Sequence, residues 1–146
     1  MLIEHILHNK GSDVARITTT GTIAEAVAML RERNIGALVV TDDGAVAGML
    51  SERDVVRALA DPGTAPGDLM ARSVAELMTP AVTTCGPRAT ADELMRMMTD
   101  QRVRHIPVMD GAELVGIVSI GDVVKSRIDE LQTEADTLHD YLASGR

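Results

Sequence analysis

Apolar residues along this chain follow helical and strand rhythms in one fixed order, and that order occurs twice. Ile23, Ala26, Val27 and Leu30 recur at helical spacing, as do Leu94, Met97 and Met98 further on. Each stripe opens on a threonine with glutamate three residues later, Thr22/Glu25 and Thr90/Glu93. Such a pair caps a helix start: the hydroxyl accepts from the third amide while the carboxylate reaches back. A short extended piece precedes each helix, Val14–Thr18 and Val82–Cys85. After each helix comes a β-rich run, Ala37–Val40 and Ile106–Met109, then a turn (Asp42-Asp43-Gly44; Asp110-Gly111) and a second strand, Val46–Leu50 and Leu114–Val118. Strand, Asp-Gly turn and strand predict a hairpin. Ser51 and Ser119 then begin a second helix, with Asp54 and Asp122 three residues on. Each copy reads β-α-β-β-α.

A shift of 68 residues lays 14–57 over 82–125 without a gap, with eleven identical positions among the forty-four. They include Gly48/Gly116, Ser51/Ser119, Asp54/Asp122, Val55/Val123 and Val56/Val124. Two copies make a pseudo-symmetric domain and not a solenoid, which needs about three or more units. The expected architecture is α/β of the α+β type: two pseudo-symmetric β-α-β-β-α repeats packed sheet to sheet, plus a C-terminal helix. Repeat 1 spans residues 3–60, a turn-rich connector 61–72, repeat 2 residues 73–127, and the C-terminal helix and tail 128–146. Ser73-Val-Ala-Glu76 is a further capping box that starts a short helix into the second copy. In the tail, Ile128, Leu131, Ala135, Leu138 and Leu142 fall at 3-4-3-4 spacing. That seam is too short for an independent coiled coil. It either packs back on its own domain or contacts a second copy.

Composition narrows the chemistry. The 146 residues include no Phe or Trp, and Tyr141 is the only aromatic. The core is aliphatic, with nine Met, and a flat ligand has to lie between aliphatic side chains. A net charge of −8 repels polyanions, so no nucleic-acid partner is expected. The single cysteine, Cys85, excludes an intrachain disulfide and any CxxC motif. No run approaches 18 apolar residues and the first residues lack a signal-peptide segment, so no membrane association is expected and the cytoplasm is the expected location. There is no phosphate-loop lysine motif and no GxGxxG. His5 and His8 lack a third metal ligand, and no nucleophile–base pair is visible, so no catalytic residue, metal or catalytic cofactor is expected.

One place concentrates candidate chemistry. Ser119 and Asp122 read as a helix cap, and the same pair reads as a ligand site, because Gly116 ends a strand three residues earlier and lets a group approach the backbone. Ser51 and Asp54 repeat the arrangement in copy one. Arg102, Arg104 and His105 cluster before a strand of an otherwise acidic chain. They either offset nearby acids or clamp a phosphate through the planar guanidinium fork. Asn34, Gly36 and Ala37 stand at the matching positions of copy one, so copy two is the better phosphate site.

The duplicated pattern, with Ile35-Gly36-Ala37-Leu38-Val39-Val40, Gly48-Met-Leu-Ser51-Glu52-Arg53-Asp54, Val103-Arg104-His105-Ile106-Pro107-Val108 and Gly116-Ile-Val-Ser119-Ile-Gly-Asp122, resembles a stand-alone pair of CBS domains, the Bateman module. The resemblance covers about residues 3–127. It implies a module, usually paired into a flat homodimer, that binds adenosine-containing ligands in the cleft between repeats. AMP is the first candidate, with NAD(H) or ATP next. It assigns Asp122 to the ribose hydroxyls and Ser119 to ribose or phosphate. Arg104 and His105 then fall to the phosphate, with Arg53 reaching it across the pseudo-twofold and Lys10, before Gly11, as a further candidate. The base falls near Thr83 and Thr84, sandwiched by Val103 and Ile106. The expected function is a non-enzymatic regulatory module with an unidentified protein target. The alternative is a ligand-independent dimeric interaction scaffold in which the Ser/Asp pairs are only caps.

Overall fold

The computed structural model describes residues 1–11, 13–80 and 82–145. In chain order the elements are α1 (Ile3–Lys10), β1 (Arg16–Thr18), α2 (Ile23–Arg33), β2 (Ala37–Asp42), β3 (Ala45–Ser51), α3 (Glu52–Leu59), α4 (Pro66–Ala71), α5 (Val74–Leu77), β4 (Thr79–Pro80), α6 (Ala91–Gln101), β5 (His105–Asp110), β6 (Glu113–Ser119) and α7 (Ile120–Ser144). They form two compact units. One is Asp13–Thr83; the other joins Met1–Ser12 to Thr84–Arg146.

In the Asp13–Thr83 unit the sheet order is β1-β2-β3-β4. β1 runs parallel to β2 with Ile17 opposite Val40, β2 and β3 form an antiparallel hairpin, and β4 adds to β3 with Pro80 opposite Gly48. Asp43 and Gly44 both take positive φ, as the tight turn between twisted strands requires. The Thr22 hydroxyl accepts from the Glu25 amide at 3.2 Å and starts α2, and Asn34 in the left-handed region ends it. Ile17, Ile23, Leu38, Val40, Leu50, Leu69 and Val74 form the aliphatic core.

The second unit repeats the register at the 68-residue offset. β5 and β6 pair with Ser119 opposite His105 and Gly116 opposite Val108, and the ladder is interrupted after Val108 as it is after Val40 in the first unit. Cys85 bridges Val108 in parallel, where Ile17 faces Val40. Gly111 has positive φ at the first position of its turn. Thr90 and Glu93 cap α6 reciprocally, and Arg102 ends it in the left-handed region. Ile3, Ile6, Leu94, Ile106, Val108, Val118 and Val123 make the core.

The leading helices are distributed in a way the repeat does not announce. α1 docks on the second copy's residues: the Ile3 amide donates to Ala89 O at 2.8 Å and the Ala91 amide to Met1 O at 2.9 Å. α5 makes the equivalent bonds in the first copy, Val74 amide to Gly21 O at 2.8 Å and Ile23 amide to Arg72 O at 2.9 Å. Two further features depart from expectation. The connector holds a helix, α4, started by Pro66 at a first-turn position and anchored by the fully buried Leu69. The second helix of copy two and the tail are one continuous helix, α7, of 25 residues. Among the described residues no helix is long and apolar enough to cross a membrane.

Candidate functional site

The junction of β6 and α7 holds most of the chemistry. Ser119 leaves the strand in extended conformation and caps α7: the Asp122 amide donates to Ser119 Oγ at 3.2 Å and the Ser119 amide to Asp122 Oδ2 at 2.9 Å. A carboxylate three residues into a helix is favoured there by the uncompensated amides of the first turn. Lys10, at the end of α1, adds a third contact. Its ammonium donates to Asp122 Oδ2 at 2.5 Å and to Ile117 O at 3.0 Å. Burial pushes the Asp122 carboxyl upward, but the hydrogen bond from Lys10, the Ser119 amide and the lysine charge outweigh it and hold the group below its ordinary value.

Beside this pair, between α1 and the first turns of α7, lies a cleft of about 240 Å³. Asn9, Lys10, Asp122, Lys125, Ser126 and Asp129 line it, with Met1 and Ile6. Small-molecule sites generally start near ~300 Å³, and the cleft lies below that size. Asn9, Lys125 and Asp129 carried no signal in the sequence. The α1–α7 contact that gathers them spans more than a hundred residues of chain, as the Lys10–Asp122 separation of 112 shows.

The other candidates in this unit divide by burial. His105 faces Ser119 across the β5–β6 ladder, and the Arg104 carbonyl accepts from the Ile120 amide at 2.8 Å, so both residues sit at the start of α7. The Arg104 side chain is exposed and His105 is half-buried. Val103 is half-buried against the core and Thr84 is exposed ahead of the Cys85 bridge. Ile106 is fully buried among core residues. Its side chain packs in the core of this unit. β5 is buried at three successive positions from Ile106, so simple alternation does not show which way its side chains face.

Thr83, Ser51, Arg53 and Asp54 belong to the other unit. Ser51 and Asp54 form the same reciprocal box, 2.9 Å from the Ser51 amide to Asp54 Oδ2 and 3.3 Å from the Asp54 amide to Ser51 Oγ. Among the described residues no lysine pairs with Asp54. Arg53 is exposed on the first turn of α3, and Thr83 is half-buried. Among the described residues no group of three His, Cys, Asp or Glu side chains is placed to hold a metal ion.

Comparison with known proteins fits this duplicated geometry. The CBS domain family matches residues 7–61 and 74–129. The mitochondrial CBS domain-containing protein CBSX3 of Arabidopsis thaliana is 36% identical over 133 residues, which is 88% of this chain and 63% of that protein. This chain therefore spans less than two thirds of that relative's length. The crystal structure of the CBS-domain containing protein ATU1752 from Agrobacterium tumefaciens superposes with a TM-score of 0.81 at 42% identity, over 87% of this chain and 99% of that one. The CBS domain pair of protein MJ0100, solved in complex with 5'-methylthioadenosine and S-adenosyl-L-methionine, matches with a TM-score of 0.74 at 25% identity, over 86% of this chain and 98% of that one. With both copies matched and the hairpin register repeated, the chain belongs to the CBS domain family and carries a pair of its domains.

Proposed function

We propose that this chain is a non-enzymatic regulatory module that senses an adenosine-containing ligand, AMP first and NAD(H) or ATP next. The observation that carries the reading is the β6–α7 junction. There an ionised, half-buried carboxylate, Asp122, stands beside helix amides, with Lys10 on it and Arg104 and His105 at the same helix start. A carboxylate accepts two hydroxyl protons at once, which suits a ribose diol, and cations nearby suit a phosphate. The complex of protein MJ0100 with two adenosine compounds supports the ligand class. Thr84 and Val103 are the candidates nearest the base, and Ser51 and Asp54 are a second, weaker position without the basic cluster. The reading also includes a cytoplasmic homodimer with a protein target. Ligand binding regulates only to the extent that it prefers one arrangement of the module.

The test is thermal unfolding of the full chain with AMP, ADP, ATP, NAD+, NADH, S-adenosylmethionine and 5'-methylthioadenosine, for wild type and Asp122→Ala. A ligand at a hundred times its Kd adds about 2.7 kcal/mol, a shift of a few degrees for a chain of this size. Asp122→Ala also loses a capping contact, worth about 0.5–2 kcal/mol, so the ligand-induced shift and not the unliganded Tm is compared. A shift abolished in the variant supports the sensor. Cooperative melting that no ligand moves overturns it in favour of the ligand-independent scaffold, a reading for which the outward apolar face of α7 is the specific support.

A further inference from the structure

The contact between Lys10 and Asp122 bears on which adenosine compounds the site accepts, and the inference drawn from it rests on the ribose role proposed for Asp122. Oδ2 of Asp122 is engaged twice, by the Ser119 amide at 2.9 Å and by the Lys10 ammonium at 2.5 Å. The ammonium has three protons, and two of them are placed, on Asp122 and on Ile117 O. Both side chains are only partly covered, 36% exposed for Lys10 and 23% for Asp122, so the pair lies at the surface end of the site. A diol that docks on this carboxylate meets the lysine already there.

We propose that Lys10 is a specificity-determining residue that selects phosphorylated adenosine ligands over the bare nucleoside. A ribose hydroxyl that takes Oδ2 competes with the ammonium there, and displacement leaves the lysine without its anion. The ammonium is partly exposed, so losing its anion is a modest cost, which a new anion offsets. A 5'-phosphate is that anion, and the long flexible lysine stem lets the ammonium follow it. Adenosine offers no replacement. The lysine thus works against the nucleoside and for the nucleotide with one and the same charge. The Ile117 carbonyl also accepts from the ammonium at 3.0 Å, beside the carboxylate.

The experiment is calorimetric titration of the full chain with AMP and with adenosine, for wild type, Lys10→Met and Lys10→Arg, each first shown to melt cooperatively. Wild type is expected to prefer AMP. Lys10→Met is expected to bind adenosine at least threefold more tightly than wild type does, and AMP no more tightly, so that the preference falls at least threefold. Lys10→Arg, which keeps the charge, is expected to retain most of the preference. If both ligands bind and Lys10→Met leaves their affinity ratio unchanged, the selectivity role is overturned while the ribose site stands. If neither ligand binds wild type or Lys10→Met, the ribose reading of Asp122 fails and this inference fails with it.

Discussion

The Asp122 carboxyl and the Cys85 thiol are shifted in opposite senses, and each shift has a visible cause. Asp122 is held below its ordinary value of 3.8 because Lys10 and the Ser119 amide favour the charged form more than burial disfavours it. A carboxyl depressed by folding contributes stability above its unfolded value, and that contribution is lost as pH falls through the lower, folded value. Lys10→Met removes both the hydrogen bond and the positive charge that lower the Asp122 value. The carboxyl of Asp122, followed by NMR as acid is added, should therefore titrate at a higher pH in Lys10→Met than in wild type. Coincident titration curves would show that the lysine does not control the group. Cys85 is half-buried, and burial first, then the charge of Glu93, pushes its thiol from 9.0 up to about 11. The thiolate is the nucleophile, so at pH 8 its population is roughly a hundredfold below that of an ordinary thiol. Alkylation by iodoacetamide of the folded chain should be slower than that of the urea-unfolded chain, by less than that factor because a more basic thiolate is the better nucleophile. Equal rates would mean that the thiol is not shielded.

Among the elements, the two hairpins share a register but differ in what lies across their central glycines. A Cβ at Gly48 would come within 2.6 Å of the Thr79 carbonyl oxygen and 2.9 Å of Met78 Sδ. A Cβ at Gly116 would first meet the side chain of Leu7, at 2.5 Å. Backbone cannot rotate away, whereas a leucine tip can. Gly48→Ala should therefore open the β3–β4 pairing and destabilise by about 1–3 kcal/mol, the usual range for overpacking, with a smaller loss for Gly116→Ala. Urea unfolding measures both, and equal losses would mean that the Thr79 contact yields freely. The same glycines mark how much the sequence revealed. Thr22, Ser51, Thr90 and Ser119 announced their helices, because capping is a local interaction between residues three apart. The equivalence of the two hairpins was legible from Gly48 and Gly116 through the offset alone. That Leu7 and Met78 are what cover them was not, since α1 reaches the second copy's hairpin across a long stretch of chain. For the same reason Lys10 read as a weak phosphate candidate, while its hold on Asp122 came only with the structure. Ile106 suited a ligand wall by residue type, and the extent of its burial in the core came only with the structure.

At the scale of the whole molecule, α7 poses the remaining question. Its 25 residues extend about 37 Å at 1.5 Å per residue. Its first turns bury Val123 and Ser126, and from Leu131 onward every described side chain is exposed. Ile128, Leu131, Leu138 and Leu142 stay 48–67% exposed, so within the chain the heptad seam does not fold back on its own unit. Val124 and Ile120 continue the stripe toward the β6–α7 junction. A row of apolar side chains at coiled-coil spacing is complementary to another copy of itself, and although two heptads are marginal alone, folded domains that already hold the helix remove the cost of nucleating it. The homodimer included in the proposed function is expected to use this face. Sedimentation of the full chain should show a dimer in wild type and a concentration-dependent shift to monomer for Leu131→Glu combined with Leu138→Glu. The circular dichroism spectrum should keep its fold signature, because neither side chain is part of a core cluster. A dimer that survives both substitutions would place the contact on another surface, and a wild type that sediments as a monomer would remove the homodimer from the reading. Because the stripe begins one residue after Ser119, a pairing along α7 would hold the helix whose first turn carries Asp122. The ligand titrations with Lys10→Met and the sedimentation of the glutamate variant then become one measurement when combined. If pairing and ligand are coupled, the two effects are tied by linkage: with one site per protomer, saturating AMP should change the dimer dissociation constant by the square of the factor by which dimerisation changes each site's affinity for AMP.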